Sequence, residues 1–348
     1  MRLGLMAENP LEWLLLRAGL IPVAMTEAYA PLYGRAIAVA TEYGVFDAIG
    51  AGEATAQQVA AGCGLDRRGT EKLLNLLVTM RYVRVRQERY RLTGHARRWL
   101  LAEAKGSVAD AIRMKLLEWE WIEGLDDLAR TGRQVDVHAS MDRDGWARYQ
   151  RGMRAQAGIL APILARLMPV PNDARTMLDI GGSHGYFSVA LCRRHPQLRA
   201  VVLDLPQAVE HAAPLLEQEG MGERVTLRGG DALSDDLGQS AYDLVFMFSL
   251  VHHFDDPTNR ALIARAAQAL RPGGVLVIGD VIRPESPGKA SQMGAFFDLY
   301  FALTSSSGLW SFEEMASWQR EAGLRPRKRR RIPLAREIGL QVADKGPG

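Results

Sequence analysis

Apolar positions in the C-terminal half of the chain fall in short continuous runs. Each run stops at a glycine or an acid and is followed by a stretch of helical period. The first run, 176–180, gives way to the turn Gly181-Gly-Ser-His-Gly185 and then to a helix with Phe187, Ala190 and Leu191 on its buried side. A second run, 200–204, ends on Asp204. Strand, glycine turn, helix and strand at this spacing form a βαβ unit. In an open parallel sheet such a turn lies where ligands bind. The alternation continues with a helix over 209–219, a strand over 224–228 running into Gly229-Gly-Asp-Ala232, and a strand over 242–248. A helix over 259–270, the turn 271–274 and a strand over 275–280 follow. Strands apolar nearly throughout predict an α/β, Rossmann-like domain with a mostly parallel sheet and helices on both faces.

The N-terminal half has another rhythm. Helical spacing covers 29–48, ending near Gly44, then 55–63 with Thr55 as N-cap, then 69–80 with Leu73, Leu74, Leu76, Leu77 and Met80 apolar. Strands over 82–86 and 89–93 make a hairpin. Three helices and a hairpin predict a winged helix. The arginines at 67, 68, 84, 86, 89, 91, 97 and 98 keep DNA binding open. Against it, the leucine-rich third helix offers few polar side chains to base edges, which favours dimerisation. From 105 to 168 the period is helical throughout, and Pro169-Val-Pro171 marks a boundary. The predicted organisation is a winged-helix dimerisation domain over 1–104, a helical linker that helps to form a pocket over 105–170, and the α/β domain over 171–348.

The glycine turn reads Asp179-x-Gly181-x-Ser183-x-Gly185. A dinucleotide loop has G-x-G-x-x-G and turns a helix N-terminus toward a pyrophosphate. An acid just before the turn suits a cation better, and Asp204 can accept both hydroxyls of a ribose. The pattern favours S-adenosylmethionine (SAM), a sulfonium without phosphate, over NAD. Gly181-Gly-Ser-His-Gly185 also matches a nucleophile elbow with Ser183 as nucleophile. That reading leaves Asp204 without a role and lacks the strands an elbow needs before it. The expected cofactor residues are Asp179, Gly181, Gly185, Asp204, Leu205, Asp231, Ala232 and Phe248, with Asp231 placed for the adenine amino group.

Past the fourth strand stands Ser249-Leu-Val-His-His-Phe-Asp-Asp256. A histidine there can take the proton of an acceptor hydroxyl, and Asp280 at the end of the next strand can hold its ring. His252 is preferred to His253, with packing as the alternative for both. A metal site from His252, His253 and Asp280 is disfavoured because adjacent residues rarely present two ligands to one ion; no metal is expected. His95, His138, His195 and His211 show no constellation and read as surface residues, and His184 as edging the pocket. Tyr149, Met153, Phe296, Phe297, Tyr300 and Trp310 are candidates for an apolar acceptor wall, with ordinary core as the alternative. The basic run 325–331 reads either as an address or nucleic-acid patch or as a charged strand pairing with a final edge strand at 338–343.

Composition adds limits. The chain has 348 residues, 47% hydrophobic and 24% charged, enough for two cores, and a net charge of +3 does not demand a nucleic-acid partner. The two cysteines, Cys63 and Cys192, fall in different predicted domains, so no disulfide framework is implied and a reducing compartment, the cytoplasm, is expected. The apolar stretch 13–25 is broken by Arg17 and Pro22, follows Glu8 and Glu12, and is too short to span a bilayer. A helix packing on a partner subunit or roofing a pocket is expected, and no membrane association.

Taken together these motifs resemble the class I SAM-dependent methyltransferases, in particular the two-domain small-molecule O-methyltransferases of the caffeic acid and acetylserotonin type. The segment 35–47 resembles the family's dimerisation helix, 178–185 its glycine loop, and Val202-Leu-Asp-Leu-Pro206 its ribose-binding strand end. The resemblance implies a homodimer in which Gly181, Asp204 and Asp231 bind SAM, His252 is the base, and Asp280 stands where the family has a glutamate orienting it. The chain departs from the family where the aspartate after the base is His253. A second supporting glutamate falls on Leu309, with Glu313 and Glu314 close by. The implied activity is methyl transfer to a small acceptor, a hydroxyl of a secondary metabolite. Transfer to carbon, nitrogen or sulfur by positioning alone, or a SAM-binding winged-helix regulator, are the alternatives.

Overall fold

A glycine divides the first long helical stretch. In the computed structural model, which describes residues 7, 9–333 and 335–347, Gly44 adopts φ 70° and splits the predicted 29–48 helix in two. The chain forms two units, Met1–Leu117 and Glu118–Gly348. Glu8, one of the acids before the apolar stretch 13–25, lies outside the described residues.

The first unit runs α1 (Pro10–Arg17), α2 (Val23–Glu27), α3 (Ala30–Glu42), α4 (Val45–Ile49), β1 (Ala54–Thr55), α5 (Ala56–Cys63), α6 (Arg67–Thr79), β2 (Val83–Arg86), β3 (Arg89–Leu92) and α7 (Gly94–Trp99). Thr55 and Gln58 form a reciprocal capping box at the start of α5, and Asp66 caps α6 through the Gly69 N–H. The strands pair antiparallel in the order β1-β3-β2. Val59, Leu74, Leu77 and Phe46 fill the core between helices and wing. The leucines of α6 therefore point inward, and the arginines of the wing stand in solvent. On α1 to α3, Leu11, Trp13, Leu14, Met25, Leu32 and Tyr33 are exposed.

Helix α8 (Ala109–Glu123) carries the chain into the second unit, where α9 (Leu125–Thr131) ends at Gly132 with φ 73°. The continuous helix expected over 105–168 is thus broken. Residues 132–142 are irregular until Asp142 caps α10 (Arg143–Leu167) through the Gly145 N–H.

The α/β part follows as β4 (Thr176–Ile180), α11 (Tyr186–Arg194), β5 (Arg199–Asp204), α12 (Pro206–Gln218), β6 (Val225–Gly229), β7 (Tyr242–Phe248), α13 (Asp256–Ala269), β8 (Leu270–Val281), α14 (Gln292–Thr304), α15 (Phe312–Glu321), β9 (Arg325–Pro326), β10 (Arg330–Ile332) and β11 (Ala335–Asp344). The sheet order is β10-β11-β8-β7-β4-β5-β6, with β9 also on β11. Strands β6, β5, β4, β7 and β8 are parallel; β11 is antiparallel to β8. Successive residues of β4 feed opposite faces: Leu178 joins one hydrophobic core and Met177 the other. Both faces are dry, which is why the strands lack polar alternation. The turn expected over 271–274 lies within β8, where the pairing with β7 slips register.

The final strand is not an edge, as the sequence reading had it. It lies between β8 and β10, and the basic segment takes the edge, where repelling charges discourage further strand pairing. Arg327 pairs with Asp344, and Arg330 donates to the Leu167 carbonyl. The chain leaves β4 for β5 on one side and reaches β7 on the other, so the crevice at their carboxyl ends is a topological switch point.

Candidate active site

The glycine loop lies at that point, and its glycines answer mainly to protein neighbours. Gly181 has φ 68°, and a Cβ there would stand 2.7 Å from Leu250 Cδ1. A Cβ on Gly182 would come within 2.6 Å of Asp179 Cγ and 2.7 Å of Val202 Cγ1. Gly185, at φ 70°, opens α11. The loop's own packing thus already requires glycine at 181 and 182.

Asp179 is buried against Gly182. Its Oδ2 accepts from Ser188 Oγ at 2.5 Å, and its Oδ1 is buried with no protein partner. Burial, opposed by the Ser188 hydrogen bond, pushes its carboxyl up to about 7. His184 is buried as well, where the sequence placed it at a pocket edge. Its Nδ1 accepts from the Tyr186 N–H at 3.0 Å, and burial drives it down to about 3. The first free N–H of α11 is therefore taken, and a carboxyl stands behind the loop. Neither feature suits a pyrophosphate.

Asp204 ends β5 with both oxygens held. Oδ2 accepts from the Ser183 N–H and Oδ1 from the Leu205 N–H, each at 2.7 Å. Each oxygen keeps a lone pair, so the carboxylate is fixed in plane and still able to accept from a diol. Burial raises its pKa against those two donors. Leu205 is exposed beside it. Asp231, past β6, is exposed and accepts from the Leu233 N–H at 2.9 Å and Ser234 Oγ at 3.1 Å. The Ala232 carbonyl accepts from Arg265 Nη1. Phe248 packs on Phe187, ring centroids 4.7 Å apart, and covers Gly279, where a Cβ would meet its ring at 2.5 Å. An oriented acid at a strand end, a buried carboxyl with an orphaned oxygen and a helix whose first N–H is already taken fit an adenosine joined to a cation. The nucleophile-elbow reading fails here, because Ser183 Oγ donates to the Gln150 amide oxygen at 2.8 Å and no base receives its proton.

After β7 the backbone makes a single 3-10 turn, Val251–His253, following Ser249 in a left-handed conformation, φ 53°. Every carbonyl of 251–254 is bonded. Asn259 Nδ2 and Trp310 Nε1 donate to Val251 O, each at 2.9 Å, and the Gly308 N–H donates to His252 O at 3.2 Å. Ser306 Oγ donates to His253 O, and Asn259 Nδ2 to Phe254 O at 2.9 Å. This clamp fixes His252, whose Nδ1 lies 2.9 Å from Asp280 Oδ1 and 3.0 Å from Oδ2. Both residues are buried, and Asp280 Oδ1 also accepts from the Val281 N–H. A carboxylate only accepts, so Nδ1 carries the proton and Nε2 is left basic. His253 Nδ1 lies 3.3 Å from Ser305 Oγ, and burial holds it well below the usual histidine range.

Rings surround this pair. Phe301, missed in the sequence, lies over His252 with centroids 3.9 Å apart. His138, assigned to the surface from sequence, is half-buried, stacked on Trp146 at 5.5 Å, and 5.1 Å from the His253 ring. Burial lowers its pKa, with His252 adding to the effect and Asp136 opposing it. Tyr149 contacts His138, Trp146 and Trp121 edge-on. Burial and the nearby Asp204 and Glu118 push the Tyr149 hydroxyl upward. Met153, one turn along α10, is half-buried. On α14, Phe296, Phe297 and Tyr300 form one ring cluster with Phe301. Trp310, expected in the acceptor wall, belongs to the core beneath the turn, edge-on to Trp318 at 5.1 Å. Glu313 pairs with Arg320, while Glu314 is occupied by Ser311 and Arg283. His138 and Phe301 were hidden because a loop histidine and one aromatic among several carry no spacing signal. Among the described residues no cluster of His, Cys, Asp and Glu could hold a metal ion.

Similarity to known proteins agrees with this geometry. The O-methyltransferase domain model matches residues 129–324, and the O-methyltransferase dimerisation domain model matches 31–102. The 3-hydroxy-5-methyl-1-naphthoate 3-O-methyltransferase of Streptomyces sahachiroi is 25% identical over 314 residues, 87% of this chain and 89% of that protein. The N,N-dimethyltransferase OxyT of Streptomyces rimosus is 27% identical over 333 residues, 90% and 94% of the two chains. Human N-acetylserotonin methyltransferase, solved in complex with SAM, has the same fold, with a TM-score of 0.83 at 18% identity over 98% of this chain and all of that one. With its larger domain model covering more than half the sequence, the chain belongs to the O-methyltransferase family and is a SAM-dependent methyltransferase.

Proposed function

We propose that the protein methylates a hydroxyl of a small aromatic secondary metabolite, with His252 as general base. The observation that carries this is the buried His252–Asp280 pair within a cage of rings. Asp204 and Leu205, the loop residues Asp179, Gly181 and Gly185, and Asp231, Ala232 and Phe248 hold SAM. When bound, SAM supplies a methyl group on a positively charged sulfur. Tyr149, Met153, Phe296, Phe297 and Tyr300, joined by Phe301 and His138, form the acceptor wall, so the helical segment before 170 contributes through Tyr149 and Met153. Trp310 supports the histidine turn from the core.

In this reading the rings exclude water and align the acceptor oxygen, which supplies most of the acceleration. His252 Nε2 removes the hydroxyl proton as the oxygen becomes nucleophilic. Asp280 keeps Nδ1 protonated and stabilises the imidazolium that results. The N,N-dimethyltransferase relative makes nitrogen the competing acceptor atom; a base poised at Nε2 favours a hydroxyl, since a neutral amine attacks without prior deprotonation.

The 31–102 match and the apolar residues exposed on α1 to α3 support a homodimer built through the N-terminal unit, with DNA binding the lesser reading. Two free thiols, Cys63 and Cys192, agree with a reducing compartment and a cytoplasmic enzyme, and no helix among the described residues is long and apolar enough to cross a membrane. Incubation with methyl-labelled SAM and a panel of phenols, hydroxynaphthoates and aryl amines tests the reading. Label on phenolic oxygen supports it; label confined to amine nitrogen contradicts it.

A further inference from the structure

The SAM reading leaves one buried polar group on α10 without a role. Gln150 is 1% exposed, one residue past Tyr149, and its Oε1 accepts from Ser183 Oγ at 2.8 Å. Ser183 has φ 51°, a left-handed backbone that is strained for a non-glycine residue. In that conformation its N–H reaches Asp204 Oδ2 at 2.7 Å. Two hydrogen bonds therefore hold one strained residue, one from α10 and one from the acid at the end of β5.

We propose that Gln150 is a positioning residue for the cofactor, acting through Ser183 to fix the carboxylate of Asp204. The inference rests on the SAM reading of Asp204. Without the Gln150 acceptor, Ser183 is free to leave the left-handed region. Its N–H then turns from Asp204, and the carboxylate loses one of the two donors that set its plane. Glycine at 183 needs no such support, because it adopts positive φ at little cost. The hydroxyl contact thus matters only because residue 183 has a side chain.

Calorimetric titration of the full chain with S-adenosylhomocysteine, which cannot react, reads this without any acceptor. Gln150→Leu and Ser183→Ala should each weaken binding about 5- to 10-fold, the worth of one hydrogen bond. The double variant should be no weaker than either single one. Ser183→Gly should bind within about twofold of wild type, with or without Gln150→Leu, because the cost of positive φ is gone. A merely structural role for Gln150 would not give that order. Unchanged affinity in Gln150→Leu, losses that multiply in the double variant, or Ser183→Gly as weak as Ser183→Ala would each overturn the proposal. A wild-type chain that bound neither S-adenosylhomocysteine nor SAM would instead remove the reading on which it rests.

Discussion

His252 Nδ1 faces both oxygens of Asp280, at 2.9 and 3.0 Å, and both side chains are buried. The carboxylate selects the tautomer with a basic Nε2. Asp280→Asn offers an amide that can donate to Nδ1 and so reverse the tautomer. We expect kcat to fall by about 10²-fold or more while the KM for SAM stays near wild type. Steady-state kinetics on any acceptor found in the panel separates the two parameters.

Asp204 is the acid best prepared for a ribose, since two backbone donors orient it. Asp204→Ala should weaken SAM binding by at least about tenfold, as expected for losing hydrogen bonds to a charged group. Calorimetry measures it directly. Binding unchanged from wild type would move the cofactor's hydroxyls elsewhere.

The strand-and-acid pattern was legible because it is local. Runs such as 176–180 and 200–204 are buried on both faces, so they read as continuous apolar stretches, and the acids that end them stand out. The Asp280 partnership followed from two neighbouring strand ends. What stayed hidden depended on tertiary geometry. His138 sits in an irregular segment after Gly132, and only the fold brings it beside His253. The role of Trp310 depended on which side of the Val251–His253 turn it faces. The glycine turn was legible from its position after a strand, whereas the neighbours Leu250, Asp179 and Val202 that close on Gly181 and Gly182 depended on the fold.

Trp310 anchors the turn that carries His252 through its hydrogen bond to Val251 O. Trp310→Phe keeps most of the ring and loses the donor. Val251 O retains Asn259, so we expect a loss of about 1 kcal/mol in denaturant unfolding. A fall in kcat accompanies it as the turn loosens.

Two groups of the glycine loop should tilt stability with pH in opposite senses. The Asp179 carboxyl is raised from 3.8 to about 7 by burial, so its contribution is complete below pH 4 and is lost as pH rises through 7. His184 is lowered from 6.5 to about 3, so its contribution is complete above pH 6.5 and is lost as pH falls toward 3. Melting temperatures between pH 4 and 8 should show Asp179→Asn gaining on wild type as pH rises. His184→Gln should gain as pH falls.

The most direct test of the account is methyl transfer by His252→Ala with an acceptor that the wild-type enzyme methylates on oxygen. A kcat lower by about 10²- to 10⁴-fold, with SAM affinity retained, is the predicted result. Transfer at the wild-type rate would contradict general-base catalysis by His252 and leave positioning as the whole mechanism.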